Sequence, residues 1–398
     1  MEENKKNKIP NVPNLGFGDA SYLATKIRDV SNVVSGGTPD TSNPNYWDGE
    51  INWFTPSEIG NSKYVENSKR RITSLGYKNC GAKLMSPGSI LLSSRATVGD
   101  ASISKTECCT NQGFQSLTDF KCCGQYLYYY LQTFQIHKSL IRRASGSTFL
   151  EISNYEVGNT DIFIPDLNTQ EKIAIFLSKI DDRIETQNKI IKDNKTFKNQ
   201  LTEKLIYKNS DVIYIALSNY CCLKNGYSFK SDCYSENGEY SIVTIGNVQG
   251  ERYLNLEGAK TINTLPNDIQ KHQILQKGDI LVSLTGNVGR VSIVNKDNCL
   301  LNQRVGLLSF IDSKHIEYIF QCLSSPRFEM EMTRKGQGAA QLNLGTNDVA
   351  SYKIPMRKNN ADLVAKLLKK IDEKIILEEQ INNLLKKQKQ FLLANLFI

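Results

Sequence analysis

The chain is poor in the residues that most often carry metal and proton-transfer chemistry. Only three histidines occur in 398 residues, and His137, His272 and His315 lie far apart in the sequence. There are ten cysteines, but none forms a Cys-x-x-Cys, and Cys108-Cys109, Cys122-Cys123 and Cys221-Cys222 are adjacent pairs. A zinc site needs four ligands at local spacing, so the cysteines read as reduced, mostly buried thiols and no metal is expected on the chain. No Gly-x-x-x-x-Gly-Lys-Ser/Thr phosphate loop is present, which argues against nucleotide hydrolysis. Neither Gly-x-Ser-x-Gly nor His-Glu-x-x-His occurs. No run approaches the ~18 apolar residues of a membrane span, and Met1 to Lys8 lacks the apolar stretch of a signal peptide. The expectation is a cytoplasmic protein that makes no use of a membrane. Charge is also modest: the net +8 permits a nucleic-acid partner without demanding one.

What the chain does have is a long repeat. Pro87-Gly88-Ser89-Ile90-Leu91-Leu92-Ser93 returns about 190 residues later as Lys277-Gly278-Asp279-Ile280-Leu281-Val282-Ser283. Val98-Gly99 returns as Val288-Gly289, Asn111-Gln112 as Asn302-Gln303, and Ile164-Pro165 as Ile354-Pro355. Each Ile-Pro opens a heptad-like segment, and Ile180-Asp181-Asp182-Arg183-Ile184 matches Ile371-Asp372-Glu373-Lys374-Ile375. The repeated unit is one globular domain plus one long helix. A chain built this way imitates a two-fold dimer while its halves remain free to differ.

Five segments follow: a polar tail over 1–20, a first domain over 21–165, a long helix over 166–210, a second domain over 211–355, and a second long helix over 356–398. In the first domain, 51–54, 89–93 and 114–117 read as strands bounded by Gly, Pro, Asn and Ser. Residues 125–141 read as one helix, with Leu127, Tyr130, Leu131, Phe134 and Ile141 at helical spacing. Beyond Pro165, Ile173, Leu177, Ile180, Ile184 and Leu201 form a stripe near 3.5-residue spacing, with Thr169 as a candidate cap. A helix of about 40 residues is about 60 Å long and its stripe needs a partner. Leu368, Ile371, Ile375 and Leu392 supply a matching stripe in the second copy. The predicted fold is α+β: two tandem mixed α/β domains joined by two long helices that form an antiparallel coiled coil with pseudo-two-fold symmetry. The plainer alternative is that each helix packs only on its own domain.

Two motifs invite over-reading. Asn43-Pro44-Asn45-Tyr46 approaches the Asn-Pro-Pro-Tyr signature of adenine methyltransferases. Its second proline is missing, and no glycine-rich turn follows a strand, so a loop before a strand is the better reading. Pro165-Asp166 with Glu171-Lys172 hints at a nuclease, but acidic residues at a helix start have an electrostatic reason to be there.

The motif from Tyr46 to Ile59, Tyr-Trp-Asp-Gly-Glu-Ile-Asn-Trp-Phe-Thr-Pro-Ser-Glu-Ile, resembles the opening of target-recognition domains in HsdS, the specificity subunit of type I restriction-modification systems. Ser35 to Pro39 and Pro165 to Ala174 are similar to other parts of that family, as are Gly226 to Phe229 and Tyr240 to Val248. The second copy departs at Ala361-Asp362, where the first has Gln170-Glu171. The resemblance implies a non-catalytic, sequence-specific double-stranded DNA reader of a bipartite target. It implies assembly with two methyltransferase (HsdM) subunits and with restriction/translocase (HsdR) subunits. No cofactor is then expected on this chain; S-adenosylmethionine, ATP and Mg belong to those partners. The competing reading is a two-domain coiled-coil protein scaffold without DNA recognition.

Base reading calls for paired donors and acceptors on surface loops. The candidates after the repeated strand are Ser94, Arg95 and Thr97 in the first copy and Thr285, Asn287 and Arg290 in the second. Gly36, Gly37 and Thr38 are candidates for close backbone approach to a phosphate. Arg142, Arg143, Ser145 and Ser147 match Arg334, Lys335 and Gln337 as basic, glycine-bearing loops suited to phosphate contact. Gln112, Gln303 and Arg304 are further candidates, if they lie outside strands. Independence of the two domains is testable. Replacing residues 211–355 with the equivalent domain of a relative is expected to change one half of the methylated site and leave the other intact, as read by methylome sequencing. A change in both halves would contradict independent readers.

Overall fold

The computed structural model describes residues 22–146, 150–336 and 343–397. The chain divides into two compact units. One comprises residues up to Gln187 together with Ile381–Ile398, and the other runs from Asn188 to Gln380. Each unit therefore holds one domain, part of the first long helix (Leu167–Thr202) and part of the second (Ala361–Asn395).

In the first unit, Asn32–Ser35, Gln115–Thr118, Ile90–Leu92, Ala101–Ser104 and Tyr64–Val65 form a five-stranded sheet in that spatial order. A second sheet places Trp47–Phe54 between Arg70–Ile72 and Cys108–Thr110, the last pair parallel. Phe54, Met85, Leu91, Cys108 and Phe114 form a small buried core of their own, and Ile90, Leu92 and Leu117 join the larger core with the helices. The second unit repeats this plan. Cys221–Asn225, Val305–Phe310, Ile280–Ser283 and Val291–Ile293 make one sheet. In the other, Tyr240–Val243 lies between Lys260–Ile262 and a parallel Cys299–Leu301. Each domain also pairs its first strand with its last, Leu23–Lys26 with Asp161–Ile164 and Val212–Ala216 with Lys353–Arg357, so chain entry and exit are stitched together.

The expected helix over 125–141 is two helices, Gly124–Leu131 and Phe134–Arg143. Thr133 causes the break: its side chain caps the second helix at Ile136 N, and its own hydroxyl donates to Tyr130 O. The first long helix starts at Leu167, and Asp166, not Thr169, is its cap. The Asp166 carboxylate accepts from Thr169 N at 3.1 Å and from Thr169 Oγ1 at 2.6 Å, and these bonds hold its pKa below the usual value. The helix leaves α-geometry at Glu203, where Glu203–Tyr207 forms a π-turn. Asn43 to Tyr46 is a short turn before a strand, and Asn43 accepts from Asn45 N. All ten cysteines are free thiols, but Cys222 and Cys233 are exposed, so burial is less general than expected.

Within each unit the two long helices run antiparallel. In the first unit Ile173, Leu177, Ile180 and Ile184, early in one helix, share a core with Leu392, Leu393, Leu396 and Phe397 at the end of the other. In the second unit Leu201, late in the first helix, packs with Val364, Leu368 and Ile371, early in the second, and Ile375 is buried a turn later. The same residues also pack on their own domains: Tyr126, Tyr130 and Leu140 belong to the core that holds Ile173, and Tyr318 and Phe320 to the one that holds Leu368. Helix–helix and helix–domain packing are thus a single core in each unit.

At the centre of each junction sits a carboxylate. Asp181 receives Lys389 at 2.8 Å and the Tyr129 hydroxyl at 2.7 Å, beside Lys63, which is bonded to Ser178 at 2.9 Å. Burial pushes the Lys63 pKa down, against the raising charges of Asp181 and Asp182. In the second unit the matching Asp372 receives Lys198 at 2.6 Å, Arg252 at 3.2 Å and Gln321 at 2.8 Å. Burial alone lowers the Arg252 pKa; the hydrogen bond and charge of Glu317 and the charge of Asp372 outweigh it and raise it. Truncating one member of a buried ion pair strands the others. Asp372→Ala, which takes from Lys198 its carboxylate and leaves Arg252 with Glu317 alone, is expected to cost the second unit about 3–5 kcal/mol in denaturant unfolding. A loss below about 1 kcal/mol would mean that solvent screens the cluster.

Candidate nucleic-acid interface

The repeated strand ends in a hairpin loop in each domain, and the two loops share one backbone. Ala96 and Gly286 both have positive φ, as do Gly99 and Gly289. Ser93 N bonds Asp100 O, and Ser283 N bonds Arg290 O. The Ser93 hydroxyl donates to Thr97 O, and that of Ser283 donates to Asn287 O at 2.5 Å. The loop ends abut a helix in both cases, because a Cβ on Gly99 would meet the His137 ring at 2.6 Å and one on Gly289 would meet Met332 Cβ at 2.6 Å.

Three further segments converge on each loop. In the first domain Ser94 N bonds Gly113 O at 2.8 Å, which brings Asn111-Gln112-Gly113 alongside. Gly37 N bonds Thr110 O at 2.9 Å, and the Thr38 hydroxyl bonds Gln112. Ile152 N bonds Ser94 O at 3.0 Å, which brings in the segment around Ser145 and Glu151. The second domain repeats these bonds at Leu284 N to Arg304 O, Tyr227 N to Leu301 O and Leu344 N to Leu284 O. Gly36, Gly37, Thr38, Arg95, Gln112 and Ser145 therefore form one cluster. Thr285, Asn287, Gln303 and Arg304 form its counterpart. Gln112, Gln303 and Arg304 lie in the turns between strands, and all three are exposed.

Not every candidate faces outward. Ser94 is fully buried, and its hydroxyl has no partner among the described residues. The Thr285 hydroxyl is likewise enclosed without a partner among them, whereas Thr97 and Asn287 are exposed. Arg290 is paired to Glu329 at 3.0 Å. Arg143 spans to Glu156 at 3.1 Å and to Asp161 at 3.6 Å. Its equivalent, Lys335, bonds Asp348 O at 2.8 Å and Ser351 Oγ at 3.1 Å. Arg143 and Lys335 thus tie one helix to the next, while their neighbours Arg142 and Arg334 are exposed. Ser147 and Gln337 lie outside the described residues.

Four residues at or beside these clusters are not among the contact candidates of the sequence, although Gly226 and Tyr227 open a motif noted there. Glu151 pairs with Arg95 at 2.7 Å. Gly226 and Tyr227 occupy the places of Gly36 and Gly37, and the Tyr227 hydroxyl bonds Asp268 at 2.8 Å. Arg70 lies exposed with its guanidinium 3.4 Å from the Trp47 ring centroid, in a domain where the Trp53 indole donates to Gly37 O at 2.9 Å. The basic run Lys69-Arg70-Arg71 was the available signal for Arg70; nothing local marks Glu151. A cation stacked flat on indole is held in a narrow range of orientations.

Gly36 is required by a close approach: a Cβ there would overlap Asn111 O, with Thr110 O at 2.5 Å. Gly226 would overlap Asn302 O in the same way. Gly36→Ala is expected to cost about 1–3 kcal/mol of stability through overpacking, measured by thermal unfolding. An unchanged melting temperature would show that the 36–38 turn relaxes freely.

Comparison with known proteins agrees with the duplication. The family described as type I restriction modification DNA specificity domain matches residues 24–193 and again 207–387. The MjaIX specificity subunit of Methanocaldococcus jannaschii, a type I restriction enzyme component, is 36% identical over 197 residues. That match spans 48% of this chain and 46% of the relative, so the chain covers about half of that protein's length. The MjaVIII specificity subunit of the same organism is 26% identical over 292 residues, 67% of each chain. The crystal structure of a type I restriction-modification S subunit from M. genitalium superposes with a TM-score of 0.58 at 16% identity, covering 98% of both chains, and so shares the fold. The chain belongs to the type I restriction-modification DNA specificity family and carries two copies of its domain.

Proposed function

We propose that this chain is the specificity subunit of a type I restriction-modification complex, in which each domain reads one half of a bipartite double-stranded DNA target. The observation that carries the reading is the pair of loop clusters. Their backbones share hydrogen bonds and positive-φ positions, while Arg95, Thr97, Gly113 and Glu151 in one are replaced by Thr285, Asn287, Arg304 and Asn343 at the equivalent places of the other. One scaffold with two sets of polar side chains suits two unlike half-sites. Arg142 and Arg334 are placed to contact phosphate. The domain limits of 21–165 and 211–355 are part of this proposal, with the long helices as the connecting arms.

The chain reads and does not catalyse. Methyltransferase subunits supply S-adenosylmethionine chemistry, and restriction/translocase subunits supply ATP and Mg. An apolar stripe on the second long helix supports docking of such partners. Leu363, Leu367 and Leu377 are exposed in the second unit, and Ile381, Leu384 and Phe391 in the first. Exposed apolar faces of this kind mark protein contacts. No helix among the described residues is long and apolar enough to cross a membrane, and the role places the protein in the cytoplasm with the DNA.

Replacement of Arg95 separates reading from attraction. Arg95→Ala is expected to relax one half-site by about 1–3 kcal/mol. Arg142→Ala or Arg334→Ala instead weakens binding to all sequences alike and reduces the salt slope by about one. Titrations of target and random duplexes at several salt concentrations give both quantities. Equal loss on both duplexes for Arg95→Ala would remove it from the reading set.

A further inference from the structure

We propose that Glu151 is a positioning residue that fixes Arg95 as the reader of a guanine in the first half-site, and that the second domain has no such reader at the equivalent place. The proposal rests on the DNA-reading role and names its chemistry.

Arg95 and Glu151 are joined twice. Their backbones form an antiparallel bridge, and Arg95 Nη2 lies 2.7 Å from Glu151 Oε1. Glu151 is itself held on its far side, where it exchanges two backbone hydrogen bonds of 2.9 Å with Ser145. The main chain that carries the carboxylate is therefore held on both sides, which sets where the post stands. Arg95 Nε is buried without a partner among the described residues, so that edge of the fork is turned into the protein. Both side chains are 43% exposed, and the described residues give Nη1 no partner. Nη1 is therefore the donor free for a base, with Nη2 beside it on the edge away from Nε. Two parallel N–H donors on one edge are the complement of guanine O6 and N7 in the major groove.

The chemistry favours a post over a mask. An ion pair this exposed is worth little by itself, so it does not lock Arg95 away from DNA. It holds Nη2 beside the carboxylate and restricts the rotamers of a flexible side chain before DNA arrives. It also sets a negative charge beside the reading edge, which penalises any arrangement in which Arg95 leaves Glu151 for a phosphate. In the second domain the same backbone bridge joins Thr285 to Asn343. Neither residue is charged, so that position has no fork and no post.

The test uses full-length protein to select from a random duplex library, with sequencing of the bound fraction. Wild type is expected to enrich two half-sites, the first containing a guanine whose preference disappears in Arg95→Ala. Glu151→Gln is expected to lower the preference at that same base pair by about threefold and to leave every other position unchanged. Because it removes a negative charge from the interface, it also strengthens binding to random DNA, whereas a variant that is merely damaged weakens it. Arg95→Ala combined with Glu151→Gln is expected to match Arg95→Ala alone. Arg95→Lys provides a second arm: it keeps the ion pair and the charge but loses the fork, so the guanine preference falls while affinity for random DNA persists. Full preference in Glu151→Gln, or added loss when it is combined with Arg95→Ala, would overturn the positioning role while leaving the reading role in place. Retention of the preference in Arg95→Lys would overturn recognition by the fork. Enrichment of no sequence by wild type would contradict the DNA-reading function itself.

Discussion

A 36-residue helix with an apolar stripe cannot stand in water, and this chain contains two such helices, of 36 and 35 residues. Everything else in the structure answers that constraint. Each unit buries the start of one helix and the end of the other against its own domain, so neither domain has a complete core without both. Antiparallel pairing follows from which ends share a core. The buried carboxylates Asp181 and Asp372 make the arrangement specific. A register slip would take each away from its lysine, 389 or 198, and from the domain side chain, Tyr129 or Gln321, that bonds it.

The duplication is close in topology, with sheets of five and three strands in the first unit and of four and four in the second, and looser in chemistry. Lys63 precedes Tyr64 where Arg252 precedes Tyr253, and both basic groups sit beside the helix carboxylate. Their supports differ, since Gln125 accepts from Lys63 while Glu317 accepts from Arg252. The loop clusters show the same licence. Backbone bonds repeat pair for pair, and the side chains that meet solvent do not. A fold that fixes its main chain through glycines such as Gly36 and Gly226 leaves the side chains around them free to vary.

The repeat, the long helices and the strand-to-hairpin signal were legible in the sequence because each is local or periodic. The candidate loops were legible for the same reason, and the structure gathers most of them into two clusters. The break at Thr133 was hidden because Leu127, Leu131 and Phe134 keep helical spacing across it, while the cap is a single hydroxyl. The start of the long helix was legible, but Thr169 was taken as its cap where Asp166, three residues earlier, makes the capping bonds. The intramolecular partners of Arg143 and Lys335 were hidden because they lie 13 residues downstream, in the following helix. Glu151 was invisible as the partner of Arg95 because 56 residues separate a pair that only folding joins.

The central claim is that two unlike readers on one chain define one bipartite target. The most direct measurement is single-molecule sequencing of DNA from cells carrying this chain together with a type I methyltransferase subunit. The account predicts modified adenines in a single motif of two different half-sites separated by a gap of fixed length. A continuous or palindromic motif, or no motif dependent on this chain, would contradict it.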